Sequence, residues 1–209
     1  MYLFTRRRQA DPGEFTKALE FAVEITATVR KITGREIDAW TAVMSPEVGT
    51  IVWSMWAEHL VEIEAAADQL ASDSGYMKAV EKADDHFDGP VVDGLASLVH
   101  GVPEADAAPP TYVSVVTGSA ANGRLGDAIA GGIEVADYAT RVSGQNTMFA
   151  VNATGPYGGV AWMTGNPDIG SLEAGEAALM ADAGWMDLVN RVGDAYAPGV
   201  TSTIYRRIA

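Results

Sequence analysis

Between residues 15 and 32 apolar side chains return every three or four positions: Phe15, Ala18, Leu19, Ala22, Ile25, Val29 and Ile32. That period predicts a helix with one buried face. Asp11-Pro12-Gly13-Glu14 before it reads as a helix start, with Asp11 as N-cap, Pro12 in the first helical position and Glu14 reaching back to the cap. Gly34 supplies the left-handed stop. Residues 2–9 mix aromatic, β-branched and long side chains and predict a strand. Strand patterns follow at 37–45 and 50–57, joined by a hairpin turn at Ser45-Pro46-Glu47-Val48-Gly49. Residues 60–87 read as helix broken at Gly75, and 91–99 as a last strand. The order is βαββαβ.

The pattern then repeats. Gly75, Met77, Val80 and Asp85 recur as Gly184, Met186, Val189 and Asp194, an offset of 109, and Tyr76, Lys82 and Phe87 keep their chemical type in Trp185, Arg191 and Tyr196. Upstream the offset is 110, as in Tyr2 and Tyr112, Ala18 and Ala128, or Gly34 and Gly144. A residue is therefore expected to have been gained or lost near 35–37, which makes Trp40 the partner of Phe149. A period of this size means duplicated domains rather than a solenoid. The second copy predicts elements at 111–117, 121–142, 146–154, 158–164, 169–195 and 200–208. Between the copies, residues 101–110 (GVPEADAAPP) have the composition of a linker. The expected division is 1–100, the linker 101–110, and 111–209.

In the strand 50–57 both alternating sets are apolar: Ile51, Trp53 and Met55 on one face, Val52 and Trp56 on the other. A sheet apolar on both faces needs helices on one side and a second partner on the other, and the nearest partner is the other copy's sheet. The βαββαβ order is the ferredoxin-like arrangement. The whole pattern resembles the dimeric α/β-barrel superfamily with its two chains fused into one, and in particular domains of the antibiotic-biosynthesis-monooxygenase type. The fold class expected is thus α+β: two tandem ferredoxin-like repeats with antiparallel sheets packed into a pseudo-dimeric barrel.

Charge narrows the partners. Asp and Glu total 28 against 14 Lys and Arg, a formal net charge of −14, which repels nucleic acid and anionic membranes. The absence of cysteine removes disulfides, thiolate metal sites and thiol nucleophiles. The opening MYLFTRRRQ reverses the order of a secretory signal, and no apolar run approaches the length of a membrane span. The expectation is a soluble, cytoplasmic protein, with a homo-oligomer open.

Three groups of residues could carry chemistry. The histidines, His59, His86 and His100, all lie in the first copy opposite Asp168, Ala195 and Ala209, and are expected at element ends facing water. They form no metal-ligand spacing. Arg6, Arg7 and Arg8 lie on the first strand opposite Val116, Thr117 and Gly118, and Arg206 and Arg207 on the last strand opposite Ser97 and Leu98. Such guanidinium groups either hold an anionic substrate or neutralise helix carboxylates and protect a strand edge, and alternation places Arg6 and Arg7 on opposite faces. The aromatics Trp53 and Trp162 are equivalent, whereas Trp56 and Tyr205 have no partner in type. The glycine-rich stretch 118–126 fits neither a dinucleotide nor a P-loop motif.

The resemblance implies a cleft between sheet and helices that receives a flat aromatic or polyketide-like molecule. It implies catalysis without metal, flavin or any other cofactor, using Trp, Asn and Tyr side chains to orient the substrate and stabilise its anion. On that reading Asn146, Asn152 and Trp162 are the catalytic candidates, and Trp53, Trp56, Arg6, Arg206 and Tyr205 the substrate-binding ones. The tandem chlorite-dismutase-like branch carries a heme-ligating histidine in its second half, and residues 101–209 contain no histidine. The competing function is non-enzymatic: the same fold binding a small molecule or serving as an assembly unit.

Overall fold

The computed structural model describes residues 1–103 and 108–209, so positions 104–107 of the expected linker lie outside the described residues. The elements run β1 (Tyr2–Ala10), α1 (Phe15–Thr33), β2 (Asp38–Val43), β3 (Thr50–Ala57), α2 (Leu60–Ser72), α3 (Ser74–Ala83) and β4 (Phe87–His100). The second set is β5 (Tyr112–Ser119), α4 (Leu125–Ser143), β6 (Thr147–Asn152), β7 (Gly159–Asn166), α5 (Ile169–Ala181), α6 (Ala183–Gly193) and β8 (Thr201–Arg207). The fold is α+β, with a closed eight-strand barrel order β1-β3-β2-β8-β5-β7-β6-β4. No described helix is long and apolar enough to cross a membrane.

Two compact units divide the chain, with boundaries that fall inside β4 and inside β8. Unit 1 is residues 1–95 with 206–209; unit 2 is residues 96–205. In unit 2 the end of β4 pairs with β6, Ala96 opposite Asn152. In unit 1 the stretch after Tyr205 reaches β2, where Ala39 N donates to Ala209 O at 3.0 Å and Ile208 N to Ala39 O at 2.8 Å.

Each unit seats its first helix on the sheet through small residues. In unit 1, Ala18 and Ala22 of α1 pack with Ile51, Ala10, Ala83 and Phe87, joined by Phe15, Leu19, Phe21 and Trp53. In unit 2, α4 buries Ala128, Gly131, Gly132, Ala136 and Ala139. The ring that fills the resulting space is Phe149 of β6, which is fully buried. Removing a side chain of that size from water contributes about 1.5–3 kcal/mol.

The local punctuation differs from expectation in three places. Asp11 is not the cap of α1: its Oδ1 accepts from Gly13 N at 2.6 Å in a turn, and the helix begins at Phe15. The break in the second helix falls at Asp73 rather than Gly75, because Asp73 Oδ1 accepts from Tyr76 N at 2.7 Å and starts a new helix there. Asp182 does the same for α6 through Trp185 N at 3.0 Å. The third difference is register. In unit 1 Trp53 stands opposite Ala39, and Trp40 opposite Val52. In unit 2 Trp162 stands opposite Phe149. With Trp53 and Trp162 equivalent, the partner of Phe149 is therefore Ala39, not Trp40. The extra residue lies in the hairpin between β2 and β3 rather than at 35–37. A one-residue slip sends a side chain to the other face, and Trp40 there donates its Nε1 proton to Ser54 Oγ at 2.9 Å.

Candidate functional site

Unit 2 builds a closed aromatic stack. Trp162 is 8% exposed and lies between Phe149 and Tyr196, each ring centroid 5.2 Å away. Its indole N–H donates to Gly132 O at 2.9 Å. The Tyr196 hydroxyl donates to Ala128 O at 2.6 Å. Burial pushes the Tyr196 phenol up to about 12. A raised phenol value favours the neutral form in the folded chain, so this group's contribution to stability should decline as pH climbs from the ordinary value of about 10 towards 12. Absorbance at 295 nm should show an ionisation step near pH 12 that is missing in Tyr196→Phe.

The two asparagines of unit 2 do not converge on Trp162. Asn146 sits just before β6 and donates its Nδ2 proton to Val102 O at 2.9 Å. Asn152 closes the other end of the same strand, about 20 Å along at the usual rise per residue. Its amide covers Gly159: a Cβ there would overlap Asn152 Nδ2 and sit 2.9 Å from Cγ. Tyr205, also in unit 2, is half-buried near the end of β8.

In unit 1 the sheet register sorts the remaining candidates. Arg6 pairs with Trp53 and Arg8 with Ile51, whereas Arg7 pairs with Val52 and Leu3 with Trp56. Directly opposed residues share a face, and Ile51 and Trp53 belong to the helix-packed cluster. Arg6, Arg8 and Trp53 therefore share the helix-covered face, and Arg7 and Trp56 the opposite one. Arg6 is fully engaged, its Nε and Nη2 donating to the two carboxylate oxygens of Asp93 at 2.8 Å each. Those bonds hold its guanidinium above the ordinary arginine value. Arg206 is exposed.

Phe87, which carries no role in the sequence reading, is met in unit 1 by Arg8 and Trp53, both named there as candidates. Arg8 is 8% exposed, with its guanidinium carbon 4.5 Å from the Phe87 ring centroid. Its Nη2 donates to Asp84 Oδ1 at 2.8 Å, and its Nε has no hydrogen-bond partner among the described residues. The Trp53 ring lies 6.3 Å from Phe87, and its buried Nε1 also has no partner among them. His86 is half-buried rather than water-facing, with Nδ1 3.3 Å from Glu14 Oε2. Lys17 Nζ sits 2.6 Å from the same oxygen. Lys17, and after it His86, holds the Glu14 carboxyl below the ordinary carboxylate value. The signal for this cluster was present in the repeat: Arg8, Glu14 and His86 face Gly118, Arg124 and Ala195 in the second copy. The other histidines have ordinary roles. His59 N donates to Glu62 Oε1 at 3.1 Å at the start of α2, and His100 Nε2 lies 2.7 Å from Asp137 Oδ1.

An antiparallel α+β barrel in which the element order βαββααβ occurs twice is the dimeric α/β-barrel architecture. Solved structures of that type are similar along the full length. A candidate monooxygenase from Fusobacterium nucleatum aligns with 100% of this chain and 92% of its own at 7% identity and a TM-score of 0.73. An anthrone oxidase-like protein aligns with 100% of this chain and 91% of its own at 13% identity and a TM-score of 0.67. A chlorite dismutase from Candidatus Nitrospira defluvii aligns with 99% of this chain and 92% of its own at 10% identity and a TM-score of 0.54. At these identities the likeness is one of fold. No family model and no curated protein matches the chain. A heme held by an imidazole of the second repeat does not fit this chain, because residues 101–209 supply none.

Proposed function

We propose that the chain is a cofactor-independent oxygenase for a flat aromatic or polyketide-like molecule, with its chemistry in unit 1 and a structural role for unit 2. The copies 1–100 and 111–209 would then have divided the work after duplication. One observation carries the reading: Trp162 spends its N–H on Gly132 O, whereas the equivalent Trp53 keeps a buried N–H with no acceptor among the described residues. A buried donor left without an acceptor is destabilising by about 1–3 kcal/mol. A site that uses it on a bound oxygen accounts for its retention. The fold's likeness to an anthrone oxidase-like protein is consistent with that substrate class.

The residues around Phe87 supply the remaining steps. His86, whose Nδ1 lies 3.3 Å from the Glu14 carboxylate, takes a proton from the substrate methylene activated by its carbonyl-bearing rings. The negative charge moves onto the substrate oxygen, where the Trp53 N–H stabilises it. Electron transfer from that anion to O2, followed by recombination, forms a C–O bond. Protonation by His86 gives a hydroperoxide, which loses water to leave a new carbonyl. One oxygen atom of O2 enters the product and the other leaves as water, so oxidant and substrate balance without a metal or flavin. Arg6, Trp56, Arg206, Tyr205, Asn146, Asn152 and Trp162 are not assigned steps in this scheme. The test is oxygen uptake with anthrone: one O2 should disappear per anthrone, with one atom of labelled oxygen in the anthraquinone. Uptake no faster than the protein-free blank would overturn the proposal.

A further inference from the structure

Two arginines stand two residues apart on the same face of β1, and they are used differently. Arg6 turns its Nε–Nη2 edge onto both oxygens of Asp93. Arg8 has the same edge half filled: Nη2 reaches one oxygen of Asp84, and Nε reaches nothing among the described residues. The Arg8 side chain is 9% exposed, while its partner Asp84 is 74% exposed. A guanidinium this buried needs a full set of acceptors, and a monodentate bond from an exposed carboxylate is easily displaced. The position is not arginine in both units, since its counterpart in unit 2 is Gly118. The surroundings are aromatic: Phe87 lies under the guanidinium at 4.5 Å, Phe21 meets Phe87 edge-on at 5.9 Å, and Trp53 lies 6.3 Å from Phe87.

We infer that the Nε–Nη2 edge of Arg8 is the recognition point for a carboxylate carried by a planar aromatic ligand, with Asp84 holding its place until the ligand arrives. Side-on pairing of that edge with a carboxylate is the strongest interaction an arginine makes, and a second carboxylate oxygen satisfies the Nε that Asp84 leaves bare. The aromatic body of the ligand lies against the partly buried ring of Trp53. The inference rests on the proposed site in unit 1 and adds to it the charge of the natural substrate. It predicts that Asp84 competes with the ligand rather than helping to bind it.

The experiment is calorimetric titration of the full chain with 2-naphthoate and with its neutral isostere 2-naphthamide. The acid should bind one to one and at least tenfold more tightly than the amide. Arg8→Met, which keeps the length of the side chain and removes its charge, should abolish that preference. Asp84→Asn, a change at an exposed position, should tighten naphthoate binding severalfold, and it keeps the inference testable if Arg8→Met fails to fold. Equal binding of acid and amide, a preference that survives Arg8→Met, or naphthoate binding unchanged or weakened in Asp84→Asn would each overturn the inference. Anthrone carries no carboxylate, so its oxidation is independent of this contact. Oxygen uptake without naphthoate binding removes the carboxylate and leaves the oxygenase reading. Naphthoate binding without uptake does the reverse.

Discussion

Gly132→Ala should destabilise the protein by about 2 kcal/mol, and Gly132→Leu should prevent folding. A methyl group normally improves a helix interior by about 1 kcal/mol over glycine. Here a Cβ would overlap Phe149 Cζ and sit 2.7 Å from Cε1. Phe149 is fully buried and cannot retreat, so overpacking strain outweighs the propensity gain. Unit 1 shows the compensated arrangement, with Ala22 on the helix and Ala39 on the strand. Phe149→Ala alone should cost about 3–5 kcal/mol. Adding Gly132→Ala to Phe149→Ala should then be neutral or stabilising, a strong coupling in a double-mutant cycle. Neighbouring Gly131 faces Val192, whose Cβ would lie 3.1 Å from a new Cβ. Gly131→Leu is therefore expected to be more damaging than Gly123→Leu, where the space is open and only a φ of 77° opposes a side chain. Urea denaturation of the six variants measures all of this. Additive effects at 132 and 149, or equal losses at 131 and 123, would refute the packing account.

His86→Ala should lower kcat for anthrone oxidation by about 10²–10⁴-fold, the usual contribution of a positioned general base. KM should change little, because the imidazole acts on a proton and not on the aromatic body. Glu14→Gln should produce a smaller fall, since it removes the carboxylate that lies 3.3 Å from the imidazole while leaving the ring in place. Added imidazole should restore part of the rate to His86→Ala, a response that a merely structural residue would not give. Asp137→Asn, in unit 2 and paired with His100, is the control and should leave kcat unchanged. Steady-state oxygen electrode traces decide the matter. An unchanged kcat in His86→Ala would remove this residue from the mechanism.

The architecture was legible because it depends on periodicity. Helical spacing at Phe15 to Ile32 and alternation in 50–57 survive any local error, and the repeat doubles each signal. Register was not legible, because it depends on one residue in the hairpin between β2 and β3. Trp40 and Phe149 look equivalent in the sequence, yet the hydrogen bonds place Ala39 opposite Trp53. The helix break was also hidden, since Gly75 attracts attention while Asp73 makes the cap. For the site, alternation separated Arg6 from Arg7 but did not say which face the helices cover. That choice makes Arg8 a buried cation, and it follows from packing of α1 on Ile51 rather than from any motif. His86 was hidden by its position beside two acids in Asp84-Asp85-His86, a stretch that reads as solvated surface. The departures from the repeat were the better guide.

The return of residues 206–209 to unit 1 sets a timetable for biosynthesis. Unit 2 is one continuous stretch, 96–205, whereas unit 1 also requires 206–209. A ribosome therefore delivers the first 95 residues early but cannot complete their unit until Ala209 has emerged to meet Ala39. The half translated later is the half that can be completed sooner. Throughout elongation β2 waits with an open edge, the condition under which nascent chains pair wrongly or recruit a chaperone. Asp38 and Thr41 on that strand are the polar positions left to guard it in the interval.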